Sequence, residues 1–206
     1  RQKPHPEPIP ISALTLYTNF TVTPGKIVSG PIVLYNRSTK AYVYYLELQG
    51  VPNEWTPNRP QSVNIPANGQ KEISLVFRPP RVYTSRAGRH SILLRVTSQN
   101  DPSKVLELRL SLTISAFSQF SSELQPKQLK SGDTGNLVLR NFGNIPENFT
   151  LSWEDRLGEL AFDPKRASIT VPPGETVQIP FNISRARPLW FGGEKVSSFK
   201  VNISSQ

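Results

Sequence analysis

Apolar residues recur at every second position along most of this chain. In LELRLSLTI, Leu106, Leu108, Leu110 and Leu112 fall on one side of an extended backbone, and Glu107, Arg109, Ser111 and Thr113 on the other. The run AYVYYLELQ does the same with Tyr42, Tyr44, Leu46 and Leu48, and SALTLYTNF carries Leu14 and Leu16 between polar neighbours. EISLVF, HSILLRVTS, SITV, TVQIPFNIS and VSSFKVNIS follow the same rule, while GPIVLYN and NLVLRN read as buried strands. No comparably long stretch has helical period. Roughly seven short strands per hundred residues predict an all-β protein built of sandwiches. The alternation places Ile32, Leu34, Leu75, Phe77, Ile92, Leu94, Leu137, Leu139, Ile179 and Phe181 in the core.

The pattern occurs twice. Residues 62–81, SVNIPANGQKEISLVFRPPR, return as residues 168–187, SITVPPGETVQIPFNISRAR. Asn36 recurs as Asn141, Gly69 as Gly174 and Gly88 as Gly193, each 105 residues on. That period is the size of one small β domain. The reading is a Pro-rich tail over 1–10 and two tandem immunoglobulin-like sandwiches over 11–116 and 117–206. Gly69 and Gly174 are expected in strand-connecting turns, one or both at positive φ. Residues 104–115, the last strand of the first repeat, have no counterpart in the second. The second sandwich is therefore expected to lack its last strand, which would lie beyond Gln206 in the parent protein, and to expose a sheet edge that is filled by another copy's strand or by the Pro-rich tail, or is left frayed.

Composition narrows the class. The 206 residues suffice for two cores of ordinary size. Cys is absent, which removes disulfides, thiolate ligands and a thiol nucleophile. Met is absent even at position 1, so the chain reads as an excised part, with any signal peptide or anchor outside it. No run is long and apolar enough to span a bilayer. The net charge of +9 is uneven: residues 1–116 carry 14 basic against 6 acidic side chains, and residues 117–206 carry 10 against 9. The basic first half makes an anionic surface one candidate partner.

The order of motifs carries a resemblance: P-x-G, a strand, N-x-(G/S), a strand, Ile/Val-Pro with a Gly turn, then Ala-Gly before another strand. It resembles bacterial immunoglobulin-like modules, in particular the alpha-galactosidase-associated domain and the cell-adhesion-related bacterial domain. A more distant resemblance is to sperm-protein-like immunoglobulin domains of eukaryotes. The resemblance covers both halves and implies a sandwich fold, not an activity. Where such modules carry Ala-Gly-x-Tyr, this chain has His90, and Lys195 in the second copy. The resemblance implies an extracytoplasmic or cell-surface setting, with membrane tethering through a parent protein.

Chemistry-bearing residues are sparse. His5 and His90 are the only histidines, too few for a convincing triad or metal site. Glu154, Asp155, Glu159 and Asp163 cluster without the ordered spacing of a calcium loop. No enzyme activity, metal or cofactor is expected. The long connections are richer: Arg78, Arg81, Tyr83, Arg86 and Arg89 in the first half, and Arg185, Arg187, Trp190 and Phe191 in the second. Arginine with exposed aromatics is the usual composition of a binding surface. Trp55, Trp153 and Trp190 offer a glycan platform as an alternative, in the manner of an accessory region of a glycoside hydrolase. The basic stripe and stacking aromatics of a nucleic-acid binder are missing. Sequons stand at Asn19, Asn36, Asn148, Asn182 and Asn202. The expected function is a non-catalytic spacer or protein-interaction module of a larger bacterial envelope protein, its partner a protein.

Overall fold

Fifteen strands and a single turn of 3-10 helix make up the regular structure of residues 11–57, 59–186 and 196–205, which this computed structural model describes. The tail over 1–10 lies outside the described residues. The chain divides into two compact units. The first runs up to Arg81 and resumes over Ala87–Ser115; the second comprises Val82–Arg86 and the residues from Ala116 onward.

In the first unit, β1 (Ile11–Leu14), β3 (Val28–Asn36) and β6 (Gln70–Phe77) form one sheet in the order β1-β3-β6. The other contains β2 (Asn19–Val22), β4 (Tyr42–Gln49), β5 (Ser62–Ile65), β7 (Gly88–Ser98) and β8 (Val105–Ile114), in the order β2-β8-β7-β4-β5. All pairs are antiparallel except β2 with β8. Between the sheets lie Ile32 and Leu34 of β3 and Leu75 and Phe77 of β6, facing Leu94, Val96 and Leu112, all nearly or wholly shielded from solvent. Each such side chain contributes about 1.5–3 kcal/mol by leaving water.

The second unit repeats the plan. β9 (Phe120–Gln125), β10 (Thr134–Asn141), β12 (Leu160–Asp163) and β14 (Thr176–Arg185) form a sheet in the order β12-β14-β10-β9. β11 (Glu147–Asp155), β13 (Arg166–Val171) and β15 (Phe199–Ser205) form the other, in the order β13-β11-β15. Its core joins Leu137, Leu139, Phe149, Leu151, Trp153 and Phe181. All ten residues expected in the two cores are buried.

Two details depart from the sequence reading, and a third agrees with it in part. SALTLYTNF is two strands: β1 pairs with β3, and after a bend β2 pairs with β8 in the opposite sheet. The Thr15 hydroxyl bonds the Tyr17 and Pro31 carbonyls within that bend. Leu14 and Leu16 are consequently 55% and 84% exposed, and Ile11, Phe20 and Val22 fill the core instead. Gly174 has φ +82°, but in the first unit the left-handed position belongs to Asn68, at φ +52°, not to Gly69. The turns explain this: Gly69 N–H donates to the Pro66 carbonyl and Glu175 N–H to the Pro172 carbonyl, so Asn68 and Gly174 occupy the same place. Asn, like Gly, tolerates that conformation. Lastly, no described strand pairs with the outer side of β15, so β8 has no counterpart among the described residues. The second sandwich nevertheless counts seven strands, because β12 is an addition that the first unit lacks.

Candidate functional site

The residues singled out in the sequence fall on separate elements. Arg78 follows β6 and is exposed, its backbone N–H bonded to the Trp55 carbonyl at 2.6 Å. Arg81, also exposed, closes the first segment of the first unit. Tyr83 and the exposed Arg86 belong to the second unit, where the Tyr83 ring lies against Gly174 and Ser85 is fully buried. The Ser85 carbonyl accepts a bond of 2.8 Å from Asn144 Nδ2. Arg185 ends β14 and is half-buried. Arg187, Trp190 and Phe191 lie outside the described residues.

Arg89 stands on the outer face of the five-stranded sheet. Its Nη2 is 3.5 Å from Asn19 Oδ1, which also accepts a 2.7 Å bond from the Ser111 hydroxyl. With Gln49, Glu107 and Arg109 these residues border a shallow polar groove of about 850 Å³. Beside it, Arg95 lies between Glu107 at 3.3 Å and Glu47 at 3.9 Å, an ion pair spanning three strands. Arg37 lies over the Tyr35 ring at 5.0 Å. Part of the first unit's positive charge is thus already engaged by its own side chains.

The glycan platform loses two of its three members. Trp55 is 5% exposed and meets His90 edge-on at 5.8 Å, and Trp153 is 2% exposed and packs on Phe181. Both are core residues, because their large apolar surface is worth more buried than presented. Trp190 is outside the described residues. His90 therefore serves packing, at the position where the resembling modules carry Tyr. Among the sequons, Asn36 is buried and hydrogen-bonded, which bars modification there; Asn19, Asn148, Asn182 and Asn202 are exposed. Among the described residues no group of three or more His, Cys, Asp or Glu side chains is placed to hold a metal, and no helix is long and apolar enough to cross a membrane.

No pattern in the sequence marks the second groove. It lies in the second unit between β9 and β15, the edge strands of the two sheets, with a volume of about 440 Å³. Leu124, Leu137, Val201 and Ile203 form its floor, and Ser122, Glu123 and Lys127 its rim. Ser205 ties down the end of β15 by donating to Glu147 Oε1 at 2.6 Å; Ser118 donates to the same oxygen. Lys200 pairs with Glu154 across β15 and β11 at 2.7 Å, and that hydrogen bond holds the Glu154 carboxyl below its usual range. The groove thus joins half-buried apolar side chains to a strand edge that is unpaired among the described residues.

No protein-family model matches this chain, and no curated protein is similar to it. Among solved structures it is similar to the PapD-like domain 7 of human CEP192, at 17% identity and a TM-score of 0.38, over 56% of this chain and 92% of that one. It is also similar to a protein of unknown function from Porphyromonas gingivalis W83, at 19% identity and a TM-score of 0.41, over 85% and 83% of the two chains. A third likeness is to the secreted serine protease VesC from Vibrio cholerae, at 8% identity and a TM-score of 0.36, over 96% of this chain and 51% of that one. At these values no residue role passes from any of them to this chain. The immunoglobulin-like sandwich is a property of its own strand order and core.

Proposed function

We propose that this chain is a non-catalytic protein-interaction module, part of a larger bacterial envelope or cell-surface protein in which it also acts as a spacer. One observation carries the reading: among the described residues of the second unit, an unpaired sheet edge and half-buried apolar side chains coincide between β9 and β15. Soluble proteins usually cover or charge such an edge. The alpha-galactosidase-associated and cell-adhesion-related likeness of the motifs agrees with an extracytoplasmic setting.

The experiment compares the 206-residue chain with a Val201→Lys variant as baits in envelope extracts of a bacterium that carries the gene. A lysine directed inward from β15 blocks the edge. The expected result is a protein retained by the wild-type chain and lost with the variant at equal loading, both baits having native circular dichroism. Identical sets of retained proteins would count against the reading.

A further inference from the structure

Strand register builds the polar groove on the outer face of the first unit's five-stranded sheet. Ile92, Leu94 and Val96 of β7 point into the core, so Arg89, Ser91 and Leu93 point out. Ser91 lies opposite Ser111 of β8, and Leu93 opposite Arg109. Arg89 and Arg109 therefore stand at the two ends of a floor made by the serines, about 13 Å apart along the strands at ordinary strand rise. Asn19 of β2, opposite Ser111, and Gln49 of β4, opposite Leu93, form the sides. Short hydroxyl side chains set between long ones leave the depression of about 850 Å³.

The charges on this face divide into engaged and free groups. Arg95 lies between Glu107 at 3.3 Å and Glu47 at 3.9 Å, so both carboxylates are already paired. Arg89 spends one of its donors on Asn19, at 3.5 Å. The exposed Arg109 has no hydrogen-bond or ion-pair partner among the described residues. Asn19 is fixed in turn by the hydroxyl of Ser111, which is 4% exposed. A guanidinium fork matches a carboxylate with two parallel bonds. The backbones beneath are consumed in the β2–β8, β8–β7 and β7–β4 ladders. An extended peptide, which binds through its main chain at a sheet edge, therefore finds no backbone partner here. Recognition falls to hydroxyls, amides and two guanidinium groups.

We propose that this groove binds an acidic saccharide, a sugar chain bearing carboxylate groups. Arg89 and Arg109 each take a carboxylate, and Ser91, Asn19 and Gln49 exchange hydrogen bonds with the hydroxyls between. Hydroxyl and amide side chains both donate and accept, as sugar hydroxyls do. None of the described residues bordering the groove is aromatic. Affinity therefore comes from charge-assisted bonds rather than from ring stacking, and a neutral sugar lacks the groups that make them. The site lies wholly in the first unit. It adds a ligand class to the protein-interaction reading above and does not rest on the β15 edge.

The test titrates the 206-residue chain with trigalacturonate by isothermal calorimetry, beside its methyl ester, which keeps every hydroxyl and removes the charge. The expected result is saturable one-to-one binding of the acid that weakens with added salt. Binding is expected to be weaker by about tenfold or more for the ester, for Arg89→Gln and for Arg109→Gln. Ser91→Tyr, which keeps the charge and fills the floor, is expected to weaken binding as well. Lys71→Gln removes an equal charge from the exposed face of β6, in the other sheet, and is expected to bind like the wild type. No binding of the acid to the wild-type chain, or equal binding of acid and ester, overturns the proposal whatever the variants' folding. Equal weakening by Lys71→Gln assigns the binding to diffuse net charge and overturns the site. Oligoglutamate and a short single-stranded DNA supply the other outcome: tighter binding of either, lost with Arg89→Gln, overturns the saccharide class.

Discussion

Asn141 makes in the second unit the hydrogen bonds that Asn36 makes in the first. Asn36 Nδ2 donates to the Lys40 and Ile65 carbonyls at 2.7 and 3.1 Å, and its Oδ1 accepts from Ser38 N–H at 3.0 Å. Asn141 Nδ2 donates to the Ile145 and Val171 carbonyls, both at 2.9 Å, and its Oδ1 accepts from Gly143 N–H at 2.7 Å. Both side chains are buried, at 1% and 0% exposure. One amide thus satisfies a tight loop and a strand end that no ladder reaches. Replacing Asn36 or Asn141 by Ala is expected to cost about 1–3 kcal/mol for each buried partner left unpaired, read as a lower urea midpoint at unchanged slope.

Tyr44 adds a bond that its counterpart Phe149 lacks: its hydroxyl donates to Asn36 Oδ1 at 3.0 Å. Burial, and secondarily the neighbouring Tyr42, raises the Tyr44 pKa above its usual value. The contribution of the protonated form is therefore complete below about pH 10 and is lost as pH rises through the folded value. Tyr44→Phe is expected to lose about 1 kcal/mol at neutral pH and to show a flatter loss of stability between neutral and strongly alkaline pH. Thermal melts across that range check both. A variant as steep as the wild type would remove Tyr44 from the alkaline transition.

Gly174 combines φ +82° with a close neighbour, since a Cβ there would stand 2.5 Å from the Tyr83 ring. Gly174→Ala is expected to cost about 1–2 kcal/mol from the left-handed backbone alone, and more from the ring. Adding Tyr83→Ala should relieve the second part, so the double variant is more stable than the sum of the single effects. Asn68→Gly, at the equivalent place in the first unit, is expected to change stability by only a few tenths of a kcal/mol, as exposed turn substitutions do. Chemical denaturation of the wild type, the two single variants, the double variant and Asn68→Gly gives the comparison.

Period-two patterning made both cores legible in the sequence, because a face that buries Leu34, Leu94 or Phe181 admits one register. It did not reveal the crossing between β1 and β2: Leu14 and Leu16 keep the alternation of a strand but sit where the chain leaves one sheet for the other. The repeat made the turn legible and misplaced it by one residue. A shared glycine aligns Gly69 with Gly174, while the hydrogen bonds align Asn68 with Gly174. Trp55 and Trp153 read as a surface platform by residue type, but type does not report which way a side chain points from a 3-10 turn or from a strand. The open edge was legible as a missing counterpart to residues 104–115. That it adjoins a groove floored by Leu124 and Leu137 depends on β9 facing β15 across the sandwich, which no local pattern encodes.

Amide hydrogen exchange along β15, read residue by residue by NMR, tests most directly the open edge on which the interaction reading rests. In the free chain the N–H groups of Lys200, Asn202 and Ser204, which face β11, are expected to be protected, and those of Phe199, Val201, Ile203 and Ser205 to exchange quickly. Uniform protection along β15 would contradict an open edge.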